Sequence, residues 1–171
     1  MPGLKDITAT TFLESDFKPI VGPDRKPLSY EAWIEIVKRA GTLPSTVPTK
    51  IAEAYEPYLG SIIYGWLYWP LLTMGIDKVL ALREALARAI CEKHNASRKE
   101  SRTFENCIDF LFAKGLIPQE RRGKWDAGRA LRNSLAHPDG RTIFMPMDAI
   151  VILEAFVQDA AILFPPIPGS P

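Results

Sequence analysis

The run YLGSIIYGWLYWPLLTMGI, from Tyr58 to Ile76, carries no charged residue and limits what this chain can become more than any other segment. Apolar surface of that extent has three resting places: the interior of a helical bundle, a contact between subunits, or a lipid bilayer. Gly60, Gly65, Gly75 and Pro70 interrupt the run, its aromatic residues sit in the middle instead of at two ends, and an amphipathic pattern follows directly. These features disfavour a membrane span and favour burial within protein.

The rest of the chain supplies helices to bury it. SYEAWIEIVKRAG reads as a short helix with Ser29 as its cap and Gly41 as its stop. After the linker TLPSTVP, helix is expected from about Thr49 to Trp69, with Pro57 a point of division and Pro70 a break or kink. Leu72, Ile76, Val79, Leu86 and Ile90 then fall at helical spacing. Asp77, Arg83, Glu84, Arg88 and Glu92 populate the opposite face, where Glu84 can pair with Arg88. EKHNASRKESR is a polar connector, and its His94 is given no role.

Phe104, Ile108 and Leu111 mark a further helix that ends at Gly115, and another starts near Pro118 with Trp125, Leu131 and Leu135 toward the core. Gly128 lies on that same face, where a missing side chain lets a neighbour come close. The last helix begins at Pro146, with Asp148 in its first turn, and carries Ile150, Leu153, Val157, Ala160 and Phe164 in steps of three and four. Val151, Ile152, Phe156 and Ile162 make its other faces apolar as well, so cover on more than one side is expected. The one candidate strand is RTIFM. The pattern predicts an all-α antiparallel helical bundle over residues 48–164, preceded by an arm and short helix at 1–47 and followed by a proline-rich tail at 165–171.

A length of 171 residues suits one domain, and 21 basic against 20 acidic residues announce no bulk field for nucleic acid or membrane. Cys91 and Cys107 lack metal-ligand spacing and read as reduced core thiols, so no metal is expected. The opening MPGLKDITATTF has no apolar run of signal type, and a cytoplasmic location is expected.

Chemistry concentrates in LRNSLAHPDGR, Leu131 to Arg141. Asn133 and His137, four apart, share a helical face; Arg132 and His137 lie about 140° apart around the axis. Pro138 pushes His137 out of the helical region, which frees its imidazole to turn toward the long Arg132 side chain. A guanidinium fork, a proton carrier active near neutral pH and an orienting amide suit phosphodiester chemistry without a metal. Arg121, Arg122, Lys124, Arg129, Arg132 and Arg141 outnumber Asp126 and Asp139 around the motif, whereas Thr142 to Pro171 holds acids and no bases. The local basic footprint expected to meet RNA is Arg122, Arg129 and Arg141. The same residues also suit a plain helix cap, because the dipole favours a histidine and arginines at a C-terminus.

The sequence LRNSLAHP resembles the signature of the HEPN superfamily: an arginine, a polar residue that is usually Asn, and a histidine four to six residues after the arginine. Arg132, Asn133 and His137 match its three positions. A helical bundle, a motif at the end of a late helix, the Gly115-Leu116-Ile117 connection before that helix and one apolar helix after it are similar too, over roughly Thr49 to Phe164. The resemblance implies a metal-independent endoribonuclease of a toxin-antitoxin or phage-defence system, needing no cofactor, with Arg132, Asn133 and His137 catalytic. It implies equally the alternative, a non-catalytic dimeric module that binds RNA, a nucleotide or a protein. A homodimer is implied in either case, and it has a chemical rationale: cleavage by the ribose 2′-hydroxyl needs one group to take a proton and one to give it, and each chain supplies a single motif histidine. An antitoxin or nucleotidyltransferase partner would be a separate chain. The tyrosine or acidic residue that some members place beside the motif has no identifiable counterpart in the sequence.

Overall fold

A computed structural model describes residues 28–136 and 144–166. Six α-helices follow in order among these residues: α1 Tyr30–Ala40, α2 Thr49–Tyr64, α3 Trp69–Lys93, α4 Phe104–Ala113, α5 Arg122–Ala136 and α6 Pro146–Leu163, with a 3₁₀ turn Gln119–Arg121 leading into α5. The described residues include no strand; of the candidate strand, Arg141, Thr142 and Ile143 lie outside them.

The uncharged run folds as the end of α2, a tight turn and the start of α3. No helix among the described residues is long and apolar enough to cross a membrane. Ile62, Leu72 and Ile76 of the run are fully buried. The two helices make an antiparallel hairpin whose closeness depends on Gly75: a Cβ there would lie 2.6 Å from Ile62 Cγ1 and 2.9 Å from the Tyr58 carbonyl oxygen. Both distances are far below van der Waals contact, so only glycine lets the backbones meet.

The two prolines act differently from expectation. Pro57 lies inside α2 without dividing it. The ring removes the donor that would serve the Glu53 carbonyl; Glu53 and Pro57 are both exposed, where water can serve that carbonyl instead, and the helix continues past it. Pro70 opens α3 instead of breaking a helix. A proline costs nothing in a first turn, where its missing N–H has no intrahelical partner anyway.

Helix α2 ends at Tyr64, short of the expected Trp69, while the starts of α1 and α6 and the stop after α4 lie at the expected residues. Ser29 Oγ accepts from Ala32 N at 3.2 Å to start α1, and Gly115, at φ 64°, follows the end of α4. Thr103 Oγ1 caps α4 through Asn106 N at 3.1 Å, and Asp148 Oδ2 accepts from Met145 N at 2.7 Å to start α6.

α3 is the central element and packs against α2, α4, α5 and α6. α1 joins the same core: Trp33 is fully buried and its indole N–H donates to the carbonyls of Ile62 and Ile63 at 3.3 and 3.2 Å. Tyr55 stacks on Phe156 with ring centroids 5.3 Å apart, tying α2 to α6. Cys91 and Cys107 are buried free thiols, and burial pushes the Cys91 thiol up to about 12. Within one chain α6 is covered on less of its circumference than its composition suggests, since Val151 and Met147 stay 62% and 55% exposed.

Arg83 departs furthest from the sequence reading. It was expected on the polar face of α3, and it lies 5% exposed between α3, α5 and α6. Its Nη2 meets Asp159 Oδ2 at 2.5 Å, its Nη1 donates to the Lys124 carbonyl at 3.0 Å, and its guanidinium carbon stands 4.4 Å above the Trp125 ring. Arg121 completes the group from the 3₁₀ turn, with Nη2 2.6 Å and Nε 2.9 Å from Asp159 Oδ1. Burial pulls Arg83 below the usual arginine value, and Asp159 opposes that pull. The close approach expected at Gly128 is made by this side chain, because a Cβ at Gly128 would collide with Arg83 Nη1.

Candidate functional site

Helix α5 carries Arg132 and Asn133 of the motif. Arg129, Arg132 and Asn133 are three and four apart, so they share one face, and Trp125 anchors the helix against Phe104 of α4 with ring centroids 6.2 Å apart. Facing them across a cleft are Glu84 and Arg88 of α3, with Thr103, Phe104 and Glu105 at the start of α4. The cavity these residues line has a volume of about 310 Å³. Three arginines and two glutamates make it net positive by one charge.

Glu84 organises the cleft. Its Oε1 accepts from Arg88 Nε at 3.0 Å and Arg88 Nη2 at 2.7 Å, while its Oε2 stands 3.0 Å from Arg132 Nη2. Its side chain is 15% exposed, so little water competes for those oxygens. The hydrogen bonds that Arg88 donates to Glu84 raise Arg88 above the usual arginine value, and Arg88 Nη1 donates onward to the Ser101 carbonyl at 2.7 Å. Arg132 is therefore fixed on one edge by a carboxylate. On another edge its Nη1 donates to Asn133 Oδ1 at 3.4 Å. Arg129 is held more loosely: its Nη2 is 3.4 Å from Glu105 Oε1, and its buried Nε has no hydrogen-bond partner.

Of the residues singled out from sequence, Arg129, Arg132 and Asn133 come together in this cleft. Arg122 does not line it. At the other end of α5, about 15 Å along the axis, Arg122 Nη2 pairs with Asp109 at 2.7 Å and its Nε with Asp126 at 3.0 Å. His137 and Arg141 lie outside the described residues. Glu84, Arg88 and Glu105 were not singled out as site residues. Glu84 and Arg88 carried one signal, their spacing of four on α3, but that spacing says nothing of what stands opposite.

Behind α5 a second cavity of about 330 Å³ opens between α3, α5 and α6, lined by apolar side chains that include Val79, Leu131, Val151 and Phe156. Arg83 lines it too, with its charge already matched by Asp159. Of these two cavities, the polar cleft is the one in which cationic donors meet solvent. No family model, no curated protein and no solved structure matches the chain.

Proposed function

We propose that the chain is a metal-independent endoribonuclease of HEPN type, acting in a toxin-antitoxin or phage-defence system. The observation that carries this reading is the shared cleft: Arg132 and Asn133, two of the three motif residues, open onto one polar cavity with Arg88 and Arg129, and Glu84 holds the Arg132 guanidinium in place. A guanidinium fixed before substrate arrives is what electrostatic stabilisation of a developing phosphorane requires. Glu84 also supplies an acidic group beside the motif that the sequence alone did not reveal.

In the proposed reaction the ribose 2′-oxygen attacks the adjacent phosphorus, the bond to the 5′-oxygen breaks, and the products carry a 2′,3′-cyclic phosphate and a 5′-hydroxyl. His137 exchanges protons with the attacking and leaving oxygens, Arg132 stabilises charge on the phosphate, and Asn133 maintains the geometry. Arg129, Arg141 and Arg122 contribute phosphate contacts. One motif histidine per chain calls for two chains, and the exposed Met147 and Val151 of α6 are apolar surface that a second copy can cover.

One observation favours a non-catalytic binding module instead: Glu84 spends both oxygens on Arg88 and Arg132, an arrangement that also suits static support. The two readings separate in an RNA cleavage assay in EDTA. Cleavage by wild type should fall on the order of a hundredfold or more in both Arg132→Ala and His137→Ala. Cleavage that survives His137→Ala sinks the mechanism, and a folded wild type that cuts no RNA leaves the binding module. Sedimentation should give twice the 19.1 kDa chain mass, and a clean monomer removes the composite site.

A further inference from the structure

We infer that Arg129 anchors a second phosphate subsite one turn of α5 before the motif, and that Glu105 is the carboxylate a nucleic-acid phosphate displaces from it. The inference rests on the nucleic-acid reading above and adds to it a built-in competitor.

The cleft holds two kinds of arginine. Arg88 and Arg132 are gripped by Glu84, whose side chain is 15% exposed, through contacts of 2.7 to 3.0 Å. Arg129 has a single pairing of 3.4 Å with Glu105, whose side chain is 58% exposed. Its Nε is buried and lacks a hydrogen-bond partner. A buried N–H without an acceptor is costly, at Arg129 Nε as at Arg83 Nε behind α5, and of these two arginines it is Arg129 that lines the polar cleft. A phosphate removes that cost: one oxygen takes Nε and a second takes Nη2, the two-pronged geometry that a guanidinium and a phosphate share.

Glu105 stands in the way and is free to leave. It is bound through one long contact, it points largely into solvent, and it sits in the first turn of α4, where the helix dipole favours a carboxylate in more than one rotamer. Phosphate and carboxylate cannot share Arg129 without like-charge repulsion at contact distance. With Glu105 swung out, Arg88, Arg129 and Arg132 face the phosphate against Glu84 alone, and the cleft gains one positive charge on the side where the strand enters. Glu84 cannot make that movement, being nearly buried and doubly bound. The two glutamates therefore differ in role: Glu84 positions, and Glu105 competes.

The test uses the full chain and a 2′-O-methyl oligoribonucleotide, which lacks the attacking hydroxyl, followed by fluorescence anisotropy. Glu105→Gln should bind about fivefold tighter than wild type. Glu53→Gln, an exposed acid on α2, measures the general effect of removing a negative charge and should change affinity less than about twofold. Arg129→Ala should bind about tenfold weaker, with Arg129→Lys intermediate because it keeps the charge and loses the fork; the lysine variant serves if the alanine one does not fold. Adding Glu105→Gln to Arg129→Ala should then gain nothing beyond the Glu53 control, and adding it to Arg129→Lys should gain less than it does in wild type. A Glu105 variant no tighter than the Glu53 control overturns the inference, as does a full gain that persists without Arg129. If wild type cuts no RNA while the coupling holds, the nuclease reading falls and the subsite stands; intact cleavage without the coupling removes the subsite alone. No binding by wild type at low salt overturns both.

Discussion

Arg83 and Glu84 are neighbours in α3, yet they belong to two arginine–carboxylate clusters with opposite fates. Behind α5, Arg83 and Arg121 close on Asp159, whose side chain is 0% exposed, with contacts of 2.5 and 2.6 Å. In front of it, Arg88, Arg129 and Arg132 meet Glu84 and Glu105 in a cleft open to water. The chemical groups are the same in both. Where water is excluded, every charge must find its partner inside the chain, and the cluster is committed to holding α3, α6 and the start of α5 together. Where water enters, pairing can be looser, and a cation such as Arg129, 30% exposed and held by one 3.4 Å contact, can be offered to something from outside.

That contrast can be broken in four places. The largest effect is expected from Asp159→Asn, which leaves two arginines facing a neutral amide and Arg83 charged in the core. Urea unfolding should show a loss of about 3–5 kcal/mol. A loss no larger than at the cleft would mean that the buried cluster is not structural. Next is Gly128→Ala. The added methyl collides with Arg83 Nη1 and must push it off Asp159 or push α5 outward. Overpacking costs about 1–3 kcal/mol and the better helix former returns roughly 1, so thermal unfolding should report a net loss; a gain would show that Arg83 moves freely.

At the cleft, Glu84→Gln should cost about 1 kcal/mol, because its partners keep access to water. On the proposed ribonuclease reading, RNA cleavage should fall much further than that figure implies, since Arg132 loses the carboxylate that orients it. Stability and activity falling in step would merge the two clusters into one. The smallest effect is expected at Arg122→Ala. Its pairs with Asp109 and Asp126 are exposed, and denaturation should detect within about 0.5 kcal/mol of wild type. A larger loss would point instead to its stacking over Phe112 at 5.1 Å.

The pattern of apolar residues and the Pro and Gly signals carried most of the helical layout into view. Ser29, Gly41, Gly115 and Pro146 mark ends where the structure has them, since each acts within its own turn of chain and needs no distant partner. Pro57 misled for the converse reason: its cost depends on the solvent beside the helix, which only the fold decides. Arg83 and Asp159 were invisible because helical periodicity assigns a charge to the wet face, and only the fold brings these two together. The same limit separates the cleft residues. Arg129, Arg132 and Asn133 share a face of one helix and could be read from spacing. Glu84, Arg88 and Glu105 face them from other helices, and no spacing records that.

The glycine contact within the α2–α3 hairpin has a consequence for how the chain finds this structure. Gly75 meets Tyr58 and Ile62 across a turn of a few residues, so the hairpin closes a short loop at small entropic cost. Asp159 reaches Arg83 only after most of the chain has been gathered in. Assembly can therefore start from the hairpin and end with the buried charges, which makes bulk at position 75 a brake on folding and the loss of Asp159 an accelerator of unfolding. The cleft, whose walls are α3, α4 and α5, comes into existence between those two events.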